Sequence, residues 1–428
     1  MNASMVFTLL FGAALAASVL ARLWLASRQV RHVARHRGAV PVPFDATVPL
    51  AAHQRAADYT IAKLRFGLLE LAFGTVVLLG WTLLGGLQLL NELLLAAIGP
   101  GLWQQLALLV AFVVIGGLLE VPFTLYQTFV IEQRYGFNKM TFGLWLADMA
   151  KGAVLAALIG LPVAALILWL MAALPAAPWW RSWWLLGWAV WTLFNLLLLV
   201  IYPMFIAPLF NQFKPLADEA LKSRVTALMQ RCGFAAKGLF VMDGSRRSAH
   251  ANAYFTGFGA AKRVVFYDTL LNKLAPDEVA AVLAHELGHF KRRHIAKRTV
   301  GLFAVSLVGF ALLGWLSTRT WFYTGLGVTP QLTGAPNDAV ALLLFALVMP
   351  VFSFFVAPLM SRLSRRHEFE ADAYAVEQTG GQALSAALLK LYEDNASTLT
   401  PDPLYVKFYY SHPPAGERLA RMATGATP

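Results

Sequence analysis

SWWLLGWAVWTLFNLLLLVIYPMFIAPLFNQF, residues 182–213, runs without a single Asp, Glu, Lys or Arg. A helix needs about 20 apolar residues to cross the hydrocarbon core of a bilayer. Uncharged runs also occupy 1–21, 71–91, 93–119, 152–180, 299–318 and 339–361. They predict seven membrane helices, near 4–26, 66–92, 104–130, 152–174, 183–206, 299–318 and 338–361. The chain is 58% hydrophobic and only 14% charged, with a mean hydropathy of +0.59. A soluble domain carries roughly a quarter charged residues. Buried helices of a large soluble protein would not leave so many uncharged runs of this length.

The first run lacks the positive charge that precedes the apolar core of a secretory signal. Arg22, Arg28, Arg31, Arg35 and Arg37 follow it instead. A retained first helix with its N-terminus outside is expected. The segments after helices 1, 3 and 5 are rich in Arg and Lys, whereas those near 93–103, 175–182 and 319–337 hold only Arg181 and Arg319. Positive residues collect on the cytosolic side, which assigns 207–298 and the C-terminal segment to the cytosol. The net charge of +12 is explained by these flanks and their attraction to anionic lipid. No aromatic-basic motif accompanies it, so the bilayer is an expected partner and nucleic acid is not. Cys232 is the single cysteine, which excludes an intrachain disulfide and a Cys-based zinc site. Glu70 and Glu120 lie in otherwise uncharged helices, where ionisable residues usually face an interior cavity. Trp179, Trp180, Trp183 and Trp184 read as an interfacial belt.

The pattern divides the chain into a membrane part over 1–206, an insert over 207–298, two further spans over 299–361 and a C-terminal segment over 362–428. In the insert, Leu216, Ala220, Leu221, Val225, Leu228 and Met229 have helical spacing. Gly238 to Met242 and Arg263 to Tyr267 read as strands, with Ala251 to Phe258 a third candidate. A helix then starts near Pro276, with Asp277 and Glu278 in its first turn, where the helix dipole favours acids. The expected fold is mainly α: an integral membrane seven-helix bundle carrying a small α+β, zincin-like cytosolic catalytic region.

That last helix contains His285-Glu286-Leu287-Gly288-His289. Residues four apart share a helix face, so both imidazoles can reach one zinc ion. Glu286, beside the first ligand, can reach a water at the open coordination position, as a hydrolase requires. The pattern should arise by chance in roughly one such chain in a hundred. A catalytic zinc takes a third protein ligand. Its candidates lie in Arg365-Arg366-His367-Glu368-Phe369-Glu370-Ala371-Asp372. Glu368 and Asp372 are four apart, so one can bind metal while the other orients an imidazole. Glu370 points elsewhere and suits an arginine. Spacing alone does not choose between Glu368 and His367. Arg418 is a candidate substrate-binding residue, which can equally pair with an acid at the site or serve as an ordinary helix-face arginine.

Together these residues resemble the zinc-dependent CAAX prenyl proteases, the Ste-type membrane gluzincins related to HtpX-type quality-control proteases. The resemblance covers nearly the whole chain. It rests on Glu132-Gln133-Arg134-Tyr135-Gly136-Phe137-Asn138-Lys139, on Ala251-Asn252-Ala253-Tyr254-Phe255 and on the HELGH stretch. Glu368-Phe369-Glu370-Ala371-Asp372, Asp402-Pro403-Leu404-Tyr405 and Tyr410-Ser411-His412-Pro413-Pro414 complete it. It implies that Glu368 is the third ligand to one catalytic zinc, and that Asp372 is the acid behind the ligands. It further implies that His412 stabilises the oxyanion, that Asn252 holds substrate backbone, and that membrane helices enclose the site in a chamber. The resemblance makes the expected substrates peptides or proteins, with prenylated C-terminal CAAX tails foremost. The rivals are a membrane-protein quality-control protease with no prenyl requirement, and a transporter or receptor with a structural metal. The composition leans toward a bacterial inner membrane, the endoplasmic reticulum membrane being expected if the source is eukaryotic.

Overall fold

The computed structural model describes residues 2–174, 182–234, 238–256, 263–331 and 336–424. Among these, seven helices are long and apolar enough to cross a membrane. They are α1 (Ala3–His36), α2 (Leu50–Trp81), α4 (Leu102–Glu132), α5 (Phe142–Ala173), α6 (Trp183–Phe210), α9 (His294–Leu316) and α10 (Asp338–Thr379). A shorter apolar helix, α3 (Gly86–Ile98), lies between α2 and α4. The expected bundle is therefore present.

Its boundaries differ in instructive ways. The helix expected over 66–92 instead begins at Leu50 and stops at Trp81. The Thr82 hydroxyl donates to Leu78 O at 2.7 Å, and Gly85 adopts φ +79° before α3 starts. The charge-free run from 71 to 91 thus spans the end of one helix and the start of another. Absence of charge reports the surrounding solvent, whereas helix continuity depends on the backbone at the turn. In the other direction, the span expected to end at 361 continues, through a 3-10 turn at Phe354–Val356, to Thr379. One rod carries both the last membrane span and the segment from Arg365 to Asp372.

Trp183 is buried in the membrane core with Leu313, Leu316 and Phe322. Trp184 packs on Gly314, leaving no room for a side chain there. This pair therefore glues α6 to α9; Trp179, Trp180 and the flank around Arg181 lie outside the described residues. Trp188 reinforces the contact, its indole N–H donating to Phe303 O at 3.0 Å. Glu70 is half-buried and Glu120 exposed, and neither lines the two cavities described below.

The insert holds a four-stranded sheet in the order β1-β2-β4-β3, from β1 (Phe213–Pro215), β2 (Gly238–Met242), β3 (Ala253–Thr256) and β4 (Arg263–Tyr267). β2 and β4 are parallel, while β1 pairs antiparallel with β2 and β3 with β4. The described part of the third expected strand is shorter than 251–258, whose last two positions lie outside the described residues. β1 escapes sequence reading because it is short and contains Lys214 and Pro215. Helices α7 (Glu219–Arg231) and α8 (Pro276–Lys291) pack with this sheet. Val225, Leu228, Val264, Phe266, Val279, Leu283 and Leu287 form the shared core, joined by Ala375 of α10 and Leu384 of α11 (Gly381–Asp394). The α8 start is secured as its sequence suggests, with Glu278 accepting from Ala275 N at 2.7 Å and pairing with Lys390 at 2.8 Å. Two short C-terminal helices follow, α12 (Pro403–Tyr409) and α13 (Ala415–Thr424).

Candidate metal centre

α8 and α10 meet where the decisive residues lie. A Cβ added to Gly288 would sit 2.9 Å from Ala371 Cα and 3.0 Å from Ala371 O. Only glycine lets the two backbones approach so closely. The approach brings His285 and His289 of α8 onto Glu368 of α10. His285 Nε2 lies 3.4 Å from Glu368 Oε2, His289 Nε2 lies 3.4 Å from Glu368 Oε1, and the two Nε2 atoms are 3.3 Å apart. One ligand atom from each of the three residues falls within a 4.8 Å cluster.

Each imidazole is held through its other nitrogen. His285 Nδ1 is 2.8 Å from Asp372 Oδ1. Asp372 is in turn gripped by Arg418 of α13, whose Nε and Nη2 donate at 2.8 and 2.6 Å. Both residues are buried, so Arg418 uses two of its N–H groups on an acid behind the ligands. His289 Nδ1 is 3.0 Å from His294 Nδ1, and His294 Nε2 is 3.0 Å from Glu370 Oε2. Glu370 also accepts from Arg366 at 3.1 Å. The His294–Glu370 pair was not legible in the sequence, because no spacing rule links position 294 to the HELGH stretch. His367 stacks on His294 with ring centroids 4.1 Å apart and does not belong to the three-residue cluster.

This donor set fits a metal. Two imidazoles and a carboxylate suit zinc, and anchoring each ring by its far nitrogen is how proteins orient metal-binding histidines. Glu368 Oε2 is buried and accepts no hydrogen bond, an expensive state for a carboxylate oxygen with nothing to coordinate. Burial alone would lower the His285 pKa, but its bond to Asp372 and the nearby Glu368 carboxylate raise it, to about 9. Negative charge at the cluster therefore calls for a cation. Glu286 makes no hydrogen bond among the described residues, and its pKa is raised by desolvation against the pull of His285 and His289.

Two further elements complete the surroundings. Asp402 caps α12 by accepting from Leu404 N and Tyr405 N, both at 3.0 Å, and pairs with Arg28 of α1 at 3.0 Å. Arg365 of α10 donates to Val406 O and Tyr410 O at 2.9 and 2.7 Å. These contacts deliver His412, whose Nε2 lies 3.5 Å from Glu368 Oε1. Its pKa is lowered by desolvation and by Arg418, with Glu368 opposing. On the sheet, Asn252 is exposed immediately before β3, which forms one edge. Its approach is fixed by the segment after α4. Phe137 O accepts from Ala249 N at 3.0 Å, and the Phe137 ring stacks on His250 at 4.3 Å. Asn395 adds a bond to Ala251 N at 3.1 Å.

Cavities flank the cluster. One of about 850 Å3 is lined by Asn252, His412, Arg418, Arg22, Lys63 and several tyrosines. The other, about 790 Å3 and mostly apolar, touches His289, Phe234, Phe255, Phe290 and Phe303.

Residues 29–212 match the family described as CAAX prenyl protease N-terminal, five membrane helices, and residues 215–425 match peptidase family M48. The CAAX prenyl protease 1 of Saccharomyces cerevisiae is 38% identical over 316 residues, covering 71% of this chain and 69% of that protein. A human CAAX prenyl protease 1 homolog is 30% identical over 466 residues, covering 97% and 95%. The crystal structure of S. mikatae Ste24p superposes with a TM-score of 0.90 at 30% identity, covering 97% of this chain and 99% of that one. The chain belongs to peptidase family M48 and is a multi-spanning membrane metalloendopeptidase.

Proposed function

We propose that this chain is a zinc enzyme that cuts the C-terminal tails of prenylated CAAX-type proteins, with its catalytic region on the cytosolic face. In this reading His285, His289 and Glu368 hold one zinc ion, and Glu286 is the general base. The observation that carries it is the 4.8 Å cluster of ligand atoms, with Glu286 next in sequence to His285 and without competing hydrogen bonds among the described residues. When bound, zinc supplies Lewis acidity that polarises the scissile carbonyl and acidifies a water.

The remaining work falls to the chain. Glu286 accepts the proton of the attacking water and passes it to the leaving amine. His412 donates an N–H toward the developing oxyanion, acting from its position 3.5 Å from Glu368. The open side of β3 and the exposed Asn252 hold the peptide as an added extended strand. Asp372 and Arg418 fix the His285 ring. Arg418 thus acts as a positioning residue, in place of the substrate contact expected of it. The names of the yeast and human relatives support the substrate class. So does the apolar cavity beside His289, which suits a hydrocarbon chain attached next to the cut bond.

The test is cleavage of a farnesylated CAAX peptide beside its unprenylated twin by detergent-purified protein, with zinc measured on the same sample. Preference for the farnesylated peptide is expected. Equal cleavage would make the chain a broader membrane-protein protease, and zinc-loaded protein that cuts neither would overturn the catalytic reading.

A further inference from the structure

The cavity of about 850 Å3 beside the cluster has an unusual charge inventory. Among the described residues, Arg22, Lys63 and Arg418 line it together with His412, and no Asp or Glu does. Arg418 is neutralised by Asp372 at 2.6 Å. The other two cations have no ion-pair partner among the described residues. The Arg22 guanidinium lies over the Phe354 ring at 4.5 Å, and Lys63 Nζ lies 4.0 Å from the Tyr59 ring centroid. Contacts of this kind hold a cation in place without cancelling its charge. Glu132, an acid that acts on Lys63 electrostatically, lies outside the cavity wall and accepts from Tyr59 at 2.5 Å. Arg22 and Lys63 belong to membrane-spanning α1 and α2, where a charge facing inward usually marks a ligand path.

We infer that Arg22 and Lys63 form an anchor for the terminal carboxylate of the peptide substrate, which sets how far from the C-terminus the chain is cut. This rests on the proposed reading of the site as one that trims C-terminal tails. The two cavities give the direction. Asn252 and Ala251 border the cationic cavity, whereas Phe255 and Thr256, at the far end of β3, border the apolar one. A peptide lying along β3 therefore has a charged end and an apolar end available to it, with the metal cluster between. Its prenyl-bearing side belongs at Phe255, and its carboxyl-terminal side beyond Asn252. Three extended residues reach about 10 Å, and the volume lies within the roughly 300–1,000 Å3 of small-ligand sites. An anionic lipid headgroup presents similar chemistry. The carboxylate is favoured because the cavity opens onto Asn252 and His412.

The full-length, zinc-loaded protein should be assayed on paired peptides ending in a free carboxylate or a carboxamide, each with and without farnesyl. Wild type should cut the free acid with a kcat/KM at least about tenfold above the amide, mainly through KM. In the double variant Arg22→Gln/Lys63→Gln that ratio should fall to about one, and Arg22→Lys/Lys63→Arg should restore it. Equal cleavage of acid and amide by wild type, or an unchanged ratio in the double variant, overturns the anchor. Inhibition of acid cleavage by added phosphatidylglycerol in wild type, absent in the double variant, would assign the cations to lipid and also overturn it. The farnesyl comparison decides the prenyl reading separately, since the acid-to-amide ratio can be read on either pair. If no peptide is cut, binding of the product tripeptide and its amide to Glu286→Gln protein by calorimetry decides the same question.

Discussion

Glu286 and Asp372 stand near the same cluster for different reasons, and substitutions should separate them. Glu286 makes no hydrogen bond to the ligand-holding groups among the described residues, so Glu286→Gln should keep full zinc occupancy while cleavage falls by at least the roughly 10²–10⁴-fold typical of a lost acid–base group. Metal analysis and a peptide assay on one preparation would show this, and an active, zinc-loaded variant would refute the assignment. Asp372 is bonded to His285 and Arg418 at once. Asp372→Ala leaves a buried guanidinium without its counter-charge, a change that costs about 3–5 kcal/mol. It also frees the His285 ring. Zinc affinity should drop about 10–100-fold, measurable by competition with a chelator of known affinity.

The close crossing of α8 and α10 turns a small residue into a structural requirement. Gly288→Ala must push Ala371 away, at a cost of about 1–3 kcal/mol, and Glu368 moves with it. Lower thermal stability and lower zinc content should appear together in that variant. Asp402 tests a second junction, between α1 and α12. Its carboxyl has burial against it, yet backbone N–H groups and Arg28 hold its pKa below the usual carboxylate value. A lowered folded-state pKa means the stabilisation is present above about pH 4 and is lost as pH falls through the folded value. The difference in melting temperature between wild type and Asp402→Asn should therefore shrink below about pH 4; a constant difference would assign it to packing. These junctions also explain what the sequence could and could not tell. His285 and His289, like Glu368 and Asp372, could be paired because four residues along a helix return to the same face. The choice of Glu368 over His367, and the place of His412, came only through resemblance. His412 sits on a turn whose position depends on Arg365 and Asp402, and no local period encodes such contacts. The α2 boundary differs from the expected one because Arg55, Asp58 and Lys63 extend the helix beyond its apolar part, while the turn from Thr82 to Gly85 interrupts it inside the apolar run.

Across the whole molecule, the distribution of Arg and Lys argues for a cytosolic catalytic region, and labelling can check it. Arg292 is exposed just after α8, and Cys232 is the single native thiol and is buried. Arg292→Cys in a Cys232→Ser background should react with a membrane-impermeant maleimide in inside-out vesicles and stay unlabelled in right-side-out ones. The opposite pattern would invert the topology. The long rod from Asp338 to Thr379 has a bearing on biogenesis as well. Ribosomes deliver His285 and His289 long before Glu368, and His412 and Arg418 last of all. A nascent chain halted after α9 holds two of the three proposed ligands and none of the supports that α10 and α13 provide. The hydrolase thus stays latent throughout its own synthesis, and maturation waits until the final span has been threaded into the lipid and the tail has folded back against it.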